Sequence, residues 1–416
     1  MPEGVLASTR RRITLASALA AVLMFGIVGS IGPPVDAADG GPNGRGLSGW
    51  VPYWEATDGR NAFTANSDLF EELSPFWHSA QGGPGDIVLK APASSLATVV
   101  AAGRAAGVPV VPTITDGNGP LVTAGYLADP ALRAQHEDAI VNLVLASGYE
   151  GIDIDYEGFA FNDGKANWPA IQPNWVAFVQ ELGAKLHAQG RRLIVTVPPI
   201  YFGADGKTVL GYTVYDWANI IGSVDRLRIM TYDWSVSAPG PISPSYYVQR
   251  TIAYAQSIGI PMAKVQMGVP LYGRDWVTKQ TGSCPAASRR SVTNADMDAL
   301  IAAKGASPSR DPSSGEMTFT YTDTFQGTSN ATPSTPVLPD PNQPALGSIG
   351  AAVASQGAVR LGWCTQTHTV WYLDRDAIAD RARRATDAGA GVAVWALGYD
   401  ASWSWDALGS VVAPQR

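Results

Sequence analysis

Hydrophobic and polar positions along the chain alternate between the short period of strands and the longer period of helices. The strand-like runs are rich in β-branched and aromatic residues and lie at 47–54, 73–80, 108–115, 150–157, 192–199, 225–232, 263–272 and 391–397. Helical stretches separate these runs, and two of them start at Asp129–Pro130 and Ser243–Pro244. Eight strands joined by helices predict an α/β chain folded as a (β/α)8 TIM barrel, with a doubly wound open sheet as the alternative.

One long segment breaks this alternation. Residues 275–373 lie between the seventh and eighth predicted strands, where a barrel needs only a short connection. The middle of the segment, 327–348, is rich in Ser, Thr, Pro and Gly and predicts a loop. The runs 317–324 and 368–374 predict paired strands. We therefore expect a small α+β insertion between strands 7 and 8.

The N-terminal residues have the pattern of an export signal. A basic cluster at 10–12 precedes an apolar run at 13–31 and a cleavage-like site at 35–37. The apolar run is also long enough to remain as an uncleaved membrane anchor. The predicted boundaries are 1–37 for a signal peptide, 38–45 for a linker, 46–274 with 374–416 for the barrel, and 275–373 for the insertion. A secreted, extracellular or wall-associated protein is expected.

The two cysteines of the chain, Cys284 and Cys364, fit this expectation. Export places them in an oxidising compartment, where a disulfide between them is the favoured prediction and two unpaired buried thiols are the alternative. Such a bridge would stabilise the insertion by about 4–5 kcal/mol in the chain-entropy model.

The composition narrows the class of partner. A net charge of −7 argues against nucleic acid, because no basic patch is available to neutralise phosphates. The 13 Trp and 15 Tyr are more than a plain core needs, and aromatic rings suit the flat apolar faces of sugars. The mature chain is expected to be a monomer without a membrane partner.

The sequence GYEGIDIDYEGF, residues 148–159, concentrates carboxylates in an otherwise apolar segment. Asp153, Asp155 and Glu157 alternate with apolar residues, so on a strand they share one face. In a barrel this face points inward, with Glu157 uppermost at the catalytic mouth. Repulsion between such carboxylates raises at least one pKa, which supplies a neutral acid near neutral pH.

Two other interpretations of these acids are open. The first is a calcium loop, whose opening pattern the acids match, but the closing Glu is missing because the twelfth position is Gly164. The second is a half-exposed strand with a solvated acidic face. Spacing alone does not decide against it, although it leaves the other residues of the mouth unexplained.

Two further motifs accompany the acids. The run RIMTYDW, 228–234, puts Met230, Tyr232 and Asp233 at the end of the sixth predicted strand, and Trp395 lies near the top of the eighth. With the acids, these motifs resemble glycoside hydrolase family 18, the chitinase family. Its signature is D-G-x-D-x-D-x-E, then M-x-Y-D, then a Trp on the last strand.

The resemblance covers the whole mature chain. The run GVPLYGRDW, 268–276, is similar to the motif of the family's seventh strand. Glu150 stands where the family has Asp, at the base of its strand. The segments 74–80 and 368–400 resemble the bacterial branch that includes spore-cortex and cell-wall hydrolases.

The resemblance implies hydrolysis of a glycan with β-1,4-linked N-acetylglucosamine, with chitin, peptidoglycan and N-glycan cores all open. It also implies a retaining, substrate-assisted mechanism without metal or organic cofactor. Glu157 would be the general acid and base, Asp155 would bind the substrate's acetamido N–H, and Asp153 would share a proton with Asp155. Tyr232 would donate to the acetamido carbonyl. The other implied sugar contacts are Met230, Asp233 and the floor residue Trp395.

The remaining candidate residues are less specific. For Tyr272 and Arg274 two roles are open: contact with the sugar, or fixing the insertion in place. Aromatic platforms are predicted at the ends of the first two strands, at Tyr53, Trp54, Phe76 and Trp77. His78 has no second ligand nearby, so no metal site is expected there. A sugar-binding lectin without activity is the alternative to an enzyme, and the presence of Glu157 argues against it.

Overall fold

The structure is a computed structural model that describes residues 46–282, 284–328 and 360–412. The predicted signal peptide, the predicted linker and most of the predicted loop at 327–348 lie outside these residues. In the part of the chain that is described, no helix combines the length and the apolar character needed to cross a membrane.

Strands and helices alternate along the described chain. The strands are β1 (Leu47–Pro52), β2 (Phe70–Ala80), β3 (Ile87–Leu89), β4 (Thr113–Asp116), β5 (Gly151–Asp155), β6 (Arg192–Val197), β7 (Ile200–Phe202), β8 (Val209–Gly211), β9 (Arg226–Ile229), β10 (Val265–Pro270), β11 (Tyr272–Gly282), β12 (Arg289–Thr293), β13 (Ser309–Arg310), β14 (Met317–Thr328), β15 (Arg360–Tyr372) and β16 (Gly391–Trp395). The α-helices are α1 (Ala56–Ala65), α2 (Ala93–Ala105), α3 (Val122–Ala128), α4 (Pro130–Ser147), α5 (Gly158–Phe161), α6 (Trp168–His187), α7 (Trp217–Ile220), α8 (Ser245–Ser257), α9 (Asn294–Lys304), α10 (Arg375–Asp387) and α11 (Ser402–Gly409).

Parallel strands close into a barrel in the order β1, β16, β10, β9, β6, β5, β4 and β2. The barrel closes because β1 pairs with both β16 and β2. Gly49 lies opposite Val394 on one side and Leu73 on the other. The short strand β3 extends β2 in the antiparallel direction. The predicted TIM barrel is confirmed, and the open sheet is excluded.

Local signals around α4 position the strand that carries the acids. Asp129 caps the start of the helix by accepting hydrogen bonds from the N–H groups of Ala131 and Leu132, and Pro130 occupies the first turn. Gly148 ends the helix at a φ of 65°, a left-handed conformation that glycine adopts without strain. The chain then enters β5, so the end of this helix fixes where the acids begin.

Several predicted strands have different bounds in the structure. β5 ends at Asp155, so Glu157 lies beyond the strand at the start of α5, not on the same strand as the other two acids. β9 ends at Ile229, and Tyr232 therefore follows the strand. The third predicted strand begins only after Pro112, which has no N–H to donate to a sheet.

The chain segment between β10 and β16 forms an antiparallel sheet with the strand order β12, β11, β15, β14 and β13. β14 pairs with β15 as the sequence predicts, with Met317 opposite Tyr372. Its first strand in the chain, β11, begins at Tyr272, inside the segment assigned to the barrel. A disulfide joins Cys284 to Cys364. The sheet and α9 share a separate apolar core, formed by Val292, Met297, Leu300, Phe319, Tyr321, Val370 and Tyr372.

Two helical glycines test how closely the helices pack on the barrel. A Cβ added to Gly183 of α6 would lie 2.4 Å from the backbone oxygen of Ser223, whereas one added to Gly125 of α3 would meet open space. We expect Gly183→Ala to lower the free energy of unfolding by about 1–3 kcal/mol despite the better helix propensity of Ala. Gly125→Ala is the matched control and should stabilise by up to about 1 kcal/mol. Urea unfolding measures both, and equal stabilities would contradict the packing.

Candidate active site

A cavity of about 390 Å³ lies at the carboxyl ends of the barrel strands, where barrel enzymes have their active sites. Its wall combines acidic and basic side chains with aromatic rings. The acidic and basic side chains are Asp155, Glu157, Asp233 and Arg274, and the aromatic ones are Trp50, Phe76, Phe161, Tyr212, Tyr232, Tyr247, Tyr272, Trp395 and Tyr399. The cavity therefore brings together the motifs of the predicted strands four, six, seven and eight.

The backbone of Glu157 is held by a carboxylate from the neighbouring strand. The N–H groups of Glu157 and Gly158 donate to the two oxygens of Asp116 at 2.9 and 2.7 Å. Burial raises the pKa of Asp116 to about 7, although these N–H groups act to lower it. Asp116 thus fixes the turn on which Glu157 enters the cavity.

Tyr156 anchors the same turn from the outer side of the barrel. Its backbone oxygen accepts a hydrogen bond from the hydroxyl of Tyr215 at 2.6 Å, and its own hydroxyl lies 2.6 Å from Nε2 of His136. Nδ1 of His136 lies 2.7 Å from the carbonyl oxygen of Pro84, which can only accept. Burial lowers the pKa of His136 to about 4, so the ring is neutral and Nε2 accepts from Tyr156. Both neighbours of Tyr156 in the chain, Asp155 and Glu157, are thereby fixed.

Asp155 is buried at the end of β5, and its Oδ1 atom has no hydrogen-bond partner among the described residues. Burial raises the pKa of Asp155 well above its ordinary value. The carboxylates that raise it further are Glu157, Asp153 and Asp116. Burial and the neighbouring carboxylates therefore raise the pKa of one of the three acids and favour its neutral form, and that acid is Asp155.

Asp153 is held by donors on four other strands. Its Oδ1 accepts from Thr196 at 2.8 Å, and its Oδ2 accepts from Thr113 at 2.8 Å, Trp50 at 3.0 Å and Arg228 at 3.2 Å. These hydrogen bonds go to other strands rather than to Asp155. The proton sharing between Asp153 and Asp155 that the resemblance implies stays a prediction, while the guanidinium of Arg228 against Asp153 favours the ionised form of that carboxyl.

Tyr232, Met230 and Trp395 lie in the cavity wall as predicted for the two later motifs. Burial raises the pKa of Tyr232 well above its ordinary value, so its hydroxyl stays protonated and can donate. The ring of Trp395 meets those of Phe76 and Trp50 edge-on, at 5.0 and 5.8 Å between centroids. These contacts fix the orientation of the Trp395 ring in the cavity wall.

Asp233 connects the barrel to the insertion. Its Oδ1 accepts hydrogen bonds from the hydroxyl of Tyr272 and from the guanidinium of Arg274, the latter at 2.6 Å. Tyr272 and Arg274 both belong to β11 and also line the cavity. They therefore fix Asp233 and are available to a ligand at the same time.

Three aromatic candidates of the first two strands do not face the cavity. The ring of Tyr53 packs edge-on against Trp54 and Trp77. Trp54 packs behind Trp395 and donates its Nε1–H to the hydroxyl of Tyr399 at 2.8 Å. Trp77 is fully buried in the core. The prediction of sugar platforms at Tyr53, Trp54 and Trp77 is therefore corrected, whereas Phe76 does line the cavity.

His78 and Glu150 lie away from the cavity wall. Burial lowers the pKa of His78 to about 4, which fits a neutral core histidine. Glu150 accepts a hydrogen bond from the N–H of Val110 at 2.9 Å, at the entrance of β5, so the departure from the family pattern is remote from the acids in the cavity. No group of three or more metal-ligating side chains converges within the described ranges.

Sequence reasoning missed several residues in and around the site. Asp116 follows the end of a predicted strand, and that position alone could have identified it as a residue near the site. Arg228 has the same inward parity as Met230 and Tyr232, but nothing in the sequence names its partner. Phe161 and Tyr212 line the cavity from α5 and from the connection after β8, and their rings meet at 5.1 Å. No strand pattern points to them.

The substitution Asp155→Asn tests the charge state of this carboxyl. A pKa that is raised in the folded protein gives stability that is complete below the unfolded pKa and is lost as the pH rises through the folded value. Asn does not ionise, so the variant does not lose this stability as the pH rises. The Tm of the variant minus the Tm of the wild type should therefore increase by about 2 °C or more between about pH 5 and about pH 9. A constant difference would mean that Asp155 is already ionised at the lower pH.

Asp205→Asn is the control for this series. Hydrogen bonds led by the Thr208 hydroxyl lower the pKa of the exposed Asp205 to about 2, so its contribution is lost only in strong acid. Its Tm difference from the wild type should therefore stay constant across the same range.

Known proteins resemble this chain in sequence. The family described as "Glycosyl hydrolases family 18" matches residues 124–400. The putative sporulation-specific glycosylase YdhD of Bacillus subtilis (strain 168) is 31% identical over 153 residues, which cover 36% of this chain and 33% of that protein. The uncharacterized glycosylase YvbX of the same organism is 24% identical over 287 residues, covering 68% of this chain and 67% of that protein. The chain thus spans a third of the first relative.

Solved structures share the fold. The crystal structure of a chitinase from Chromobacterium violaceum ATCC 12472 superposes with a TM-score of 0.65 at 23% identity, covering 89% of this chain and 99% of that chain. The family match spans more than half of the chain and includes the cavity motifs. The resemblance inferred from the sequence is confirmed, and the chain belongs to family 18 of the glycosyl hydrolases.

Proposed function

We propose that this protein is a secreted glycosidase that hydrolyses β-1,4 bonds of glycans containing N-acetylglucosamine. The observation that carries the proposal is the placement of the buried Asp155 beside Glu157 in a cavity walled by aromatic rings, where burial raises the pKa of Asp155 and favours its neutral form. A neutral buried acid next to a second carboxyl provides proton transfer, and the rings suit a sugar. The names of the relatives, a sporulation-specific glycosylase and a chitinase, agree with a wall glycan or chitin as substrate.

In the first step, Glu157 donates a proton to the glycosidic oxygen as the bond to the leaving sugar breaks. The oxygen of the substrate's own 2-acetamido group attacks the anomeric carbon and gives an oxazolinium ion. Asp155 accepts a hydrogen bond from the acetamido N–H, and the hydroxyl of Tyr232 donates a hydrogen bond to the acetamido oxygen. Both contacts strengthen as charge develops, which is the condition for lowering the barrier.

In the second step, Glu157 takes a proton from a water molecule that attacks the anomeric carbon and opens the oxazolinium ring. Each step inverts the anomeric carbon, so the configuration is retained. The substrate supplies the nucleophile, so the pair of carboxyl groups does not have to provide one. Trp395 forms the floor under the reacting sugar, and Asp233, held by Tyr272 and Arg274, contacts its polar face.

Export is part of the same proposal. The basic cluster at 10–12 and the apolar run at 13–31 support a cleaved signal peptide. The disulfide between Cys284 and Cys364 agrees with an oxidising compartment. Mass spectrometry of the protein from culture medium would give the mature N terminus.

Glu157→Gln tests the role of the general acid. Gln has the shape of Glu but no proton to donate, so kcat should fall by about 10²–10⁴-fold while oligosaccharide binding persists. The measurement is turnover of chitooligosaccharides together with calorimetric binding of the same ligands. A wild type that binds them without turnover would instead indicate a lectin.

The substrate is tested by product analysis. We expect cleavage of chitooligosaccharides, of purified peptidoglycan, or of both, with the β-anomer as the first product detected by proton NMR. Cleavage of neither would contradict the proposed substrate class. A first product in the α-configuration would contradict the retaining mechanism.

Tyr232→Phe tests the donor to the acetamido oxygen. Removing one donor to developing charge should lower kcat by about 10²–10³-fold with a small effect on KM. Tyr212→Phe is the matched control, because it also lines the cavity and no hydrogen bond to the reacting group is assigned to it. Equal losses in the two variants would mean that Tyr232 acts only through the shape of the cavity.

A further inference from the structure

Arg228 lies on β9 with its side chain fully buried inside the barrel. Its guanidinium group binds side chains of three other strands. Nη1 donates to Asp153 of β5 at 3.2 Å, Nε donates to Gln266 of β10 at 2.9 Å, and Nη2 donates to Glu72 of β2. A guanidinium with this many fixed partners stays in one position.

The partners of Asp153 favour its ionised form. The indole N–H of Trp50 and the guanidinium of Arg228 are donors without a lone pair, so neither could accept a proton from Asp153. An adjacent guanidinium also favours a carboxylate electrostatically. The threonine hydroxyls of Thr113 and Thr196 complete the set of four donors.

We propose that Arg228 is a positioning residue of the active site that holds Asp153 as a fixed anion and so confines the proton used in the reaction to Asp155 and Glu157. The barrel interior then contains an immobile negative charge at Asp153, and the cavity wall contains Asp155 and Glu157, the pair of carboxyl groups that exchanges a proton with the substrate. Glu157 gives this proton to the glycosidic oxygen and regains one from the attacking water. Asp153 neither gives nor receives a proton.

The charges around Asp155 show why this matters. Burial raises the pKa of Asp155 most, and the neighbouring carboxylates raise it further, whereas the charge of Arg228 lowers it. The carboxylates are Glu157 and Asp153 from the same segment and Asp116 from β4. If Asp153 took up a proton, its repulsion would vanish and Asp155 would ionise more easily. Arg228 therefore acts on Asp155 in two opposing ways: its own charge lowers the pKa of Asp155, and its pairing with Asp153 maintains the repulsion that raises it.

Glu72 is the second carboxyl partner of Arg228, and it does not line the cavity. Burial raises the pKa of Glu72, while the charges of Arg228, Arg192 and Arg226 act in the opposite direction. Glu72→Gln removes a buried partner of Arg228 and leaves the contact between Arg228 and Asp153 in place. It is the matched control for damage to the barrel interior.

The experiment measures the pH dependence of kcat/KM on a soluble chitooligosaccharide, and this part rests on the proposed function. In Arg228→Gln, Asp153 loses its cationic partner and takes up a proton at higher pH. The acid limb of the profile should move upward by about one to three pH units. Arg228→Lys keeps the charge and should keep the limb close to the wild-type position. Glu72→Gln should lose thermal stability without an upward shift of the limb.

Several results would overturn the proposal. One is an acid limb that stays in place in Arg228→Gln, and another is a limb that moves equally in Glu72→Gln, because that result reports a damaged barrel. A shift in Arg228→Lys as large as in Arg228→Gln also overturns it. If Arg228→Gln does not fold, the double variant with Glu72→Gln retains a neutral hydrogen-bonded pair and is compared with Glu72→Gln alone.

Carbon-13 NMR of labelled Asp carboxyls gives a readout that needs no turnover. The Asp153 signal is identified by its loss in Asp153→Asn. In the wild type, the Asp153 carboxyl should still have the chemical shift of an ionised group at a pH where the Asp153 carboxyl of Arg228→Gln has the shift of a protonated one. This result in a wild type that cleaves no glycan would support the role of Arg228 and contradict the proposed function. An Asp153 signal that behaves the same in both proteins would contradict the role of Arg228.

Discussion

A closed barrel gives its interior side chains little water, so each carboxylate inside it must be paired, hydrogen-bonded or neutral. The acids of this protein meet that constraint in different ways. Asp153 accepts four hydrogen bonds, one of them from a guanidinium. Burial raises the pKa of Asp155 and so favours its neutral form, and Asp116 accepts hydrogen bonds from the N–H groups of Glu157 and Gly158. The charge state of each acid therefore follows from its place in the barrel.

The rim of the cavity depends on the insertion as much as on the barrel. Arg274 and Asp275 are neighbours on β11, and side chains of neighbouring strand residues point to opposite faces. Arg274 binds Asp233 in the cavity. Asp275 accepts hydrogen bonds from His368 and Tyr321 inside the insertion. The hydrogen bonds of Asp275 on one face of β11 thus hold the strand in place. The same strand carries Arg274, which reaches the cavity from the other face.

The barrel could be predicted from the sequence because its strands are short apolar runs separated by helices with clear ends. The acids and Tyr232 could be predicted because they form motifs within a few residues. Arg228 could not, since its contact with Asp153 joins residues 75 positions apart on different strands. Tyr53 and Trp54 come directly after a strand, which is also where a sugar-stacking ring would lie. The sequence pattern does not distinguish a ring in the cavity wall from a ring packed behind that wall.

Stability alone does not explain the polar layer of this barrel. Replacing a buried ion pair by apolar residues of similar size is often neutral or stabilising, and barrel interiors are commonly filled by branched apolar side chains. Here, however, an apolar layer would leave Asp153 as an unpaired anion about 6.6 Å along the strand from Asp155. The two carboxyls would then compete for one proton. In the role proposed for Arg228, the two acids on the same strand hold different charges, which is the condition for a fixed anion and a mobile proton to coexist in one barrel.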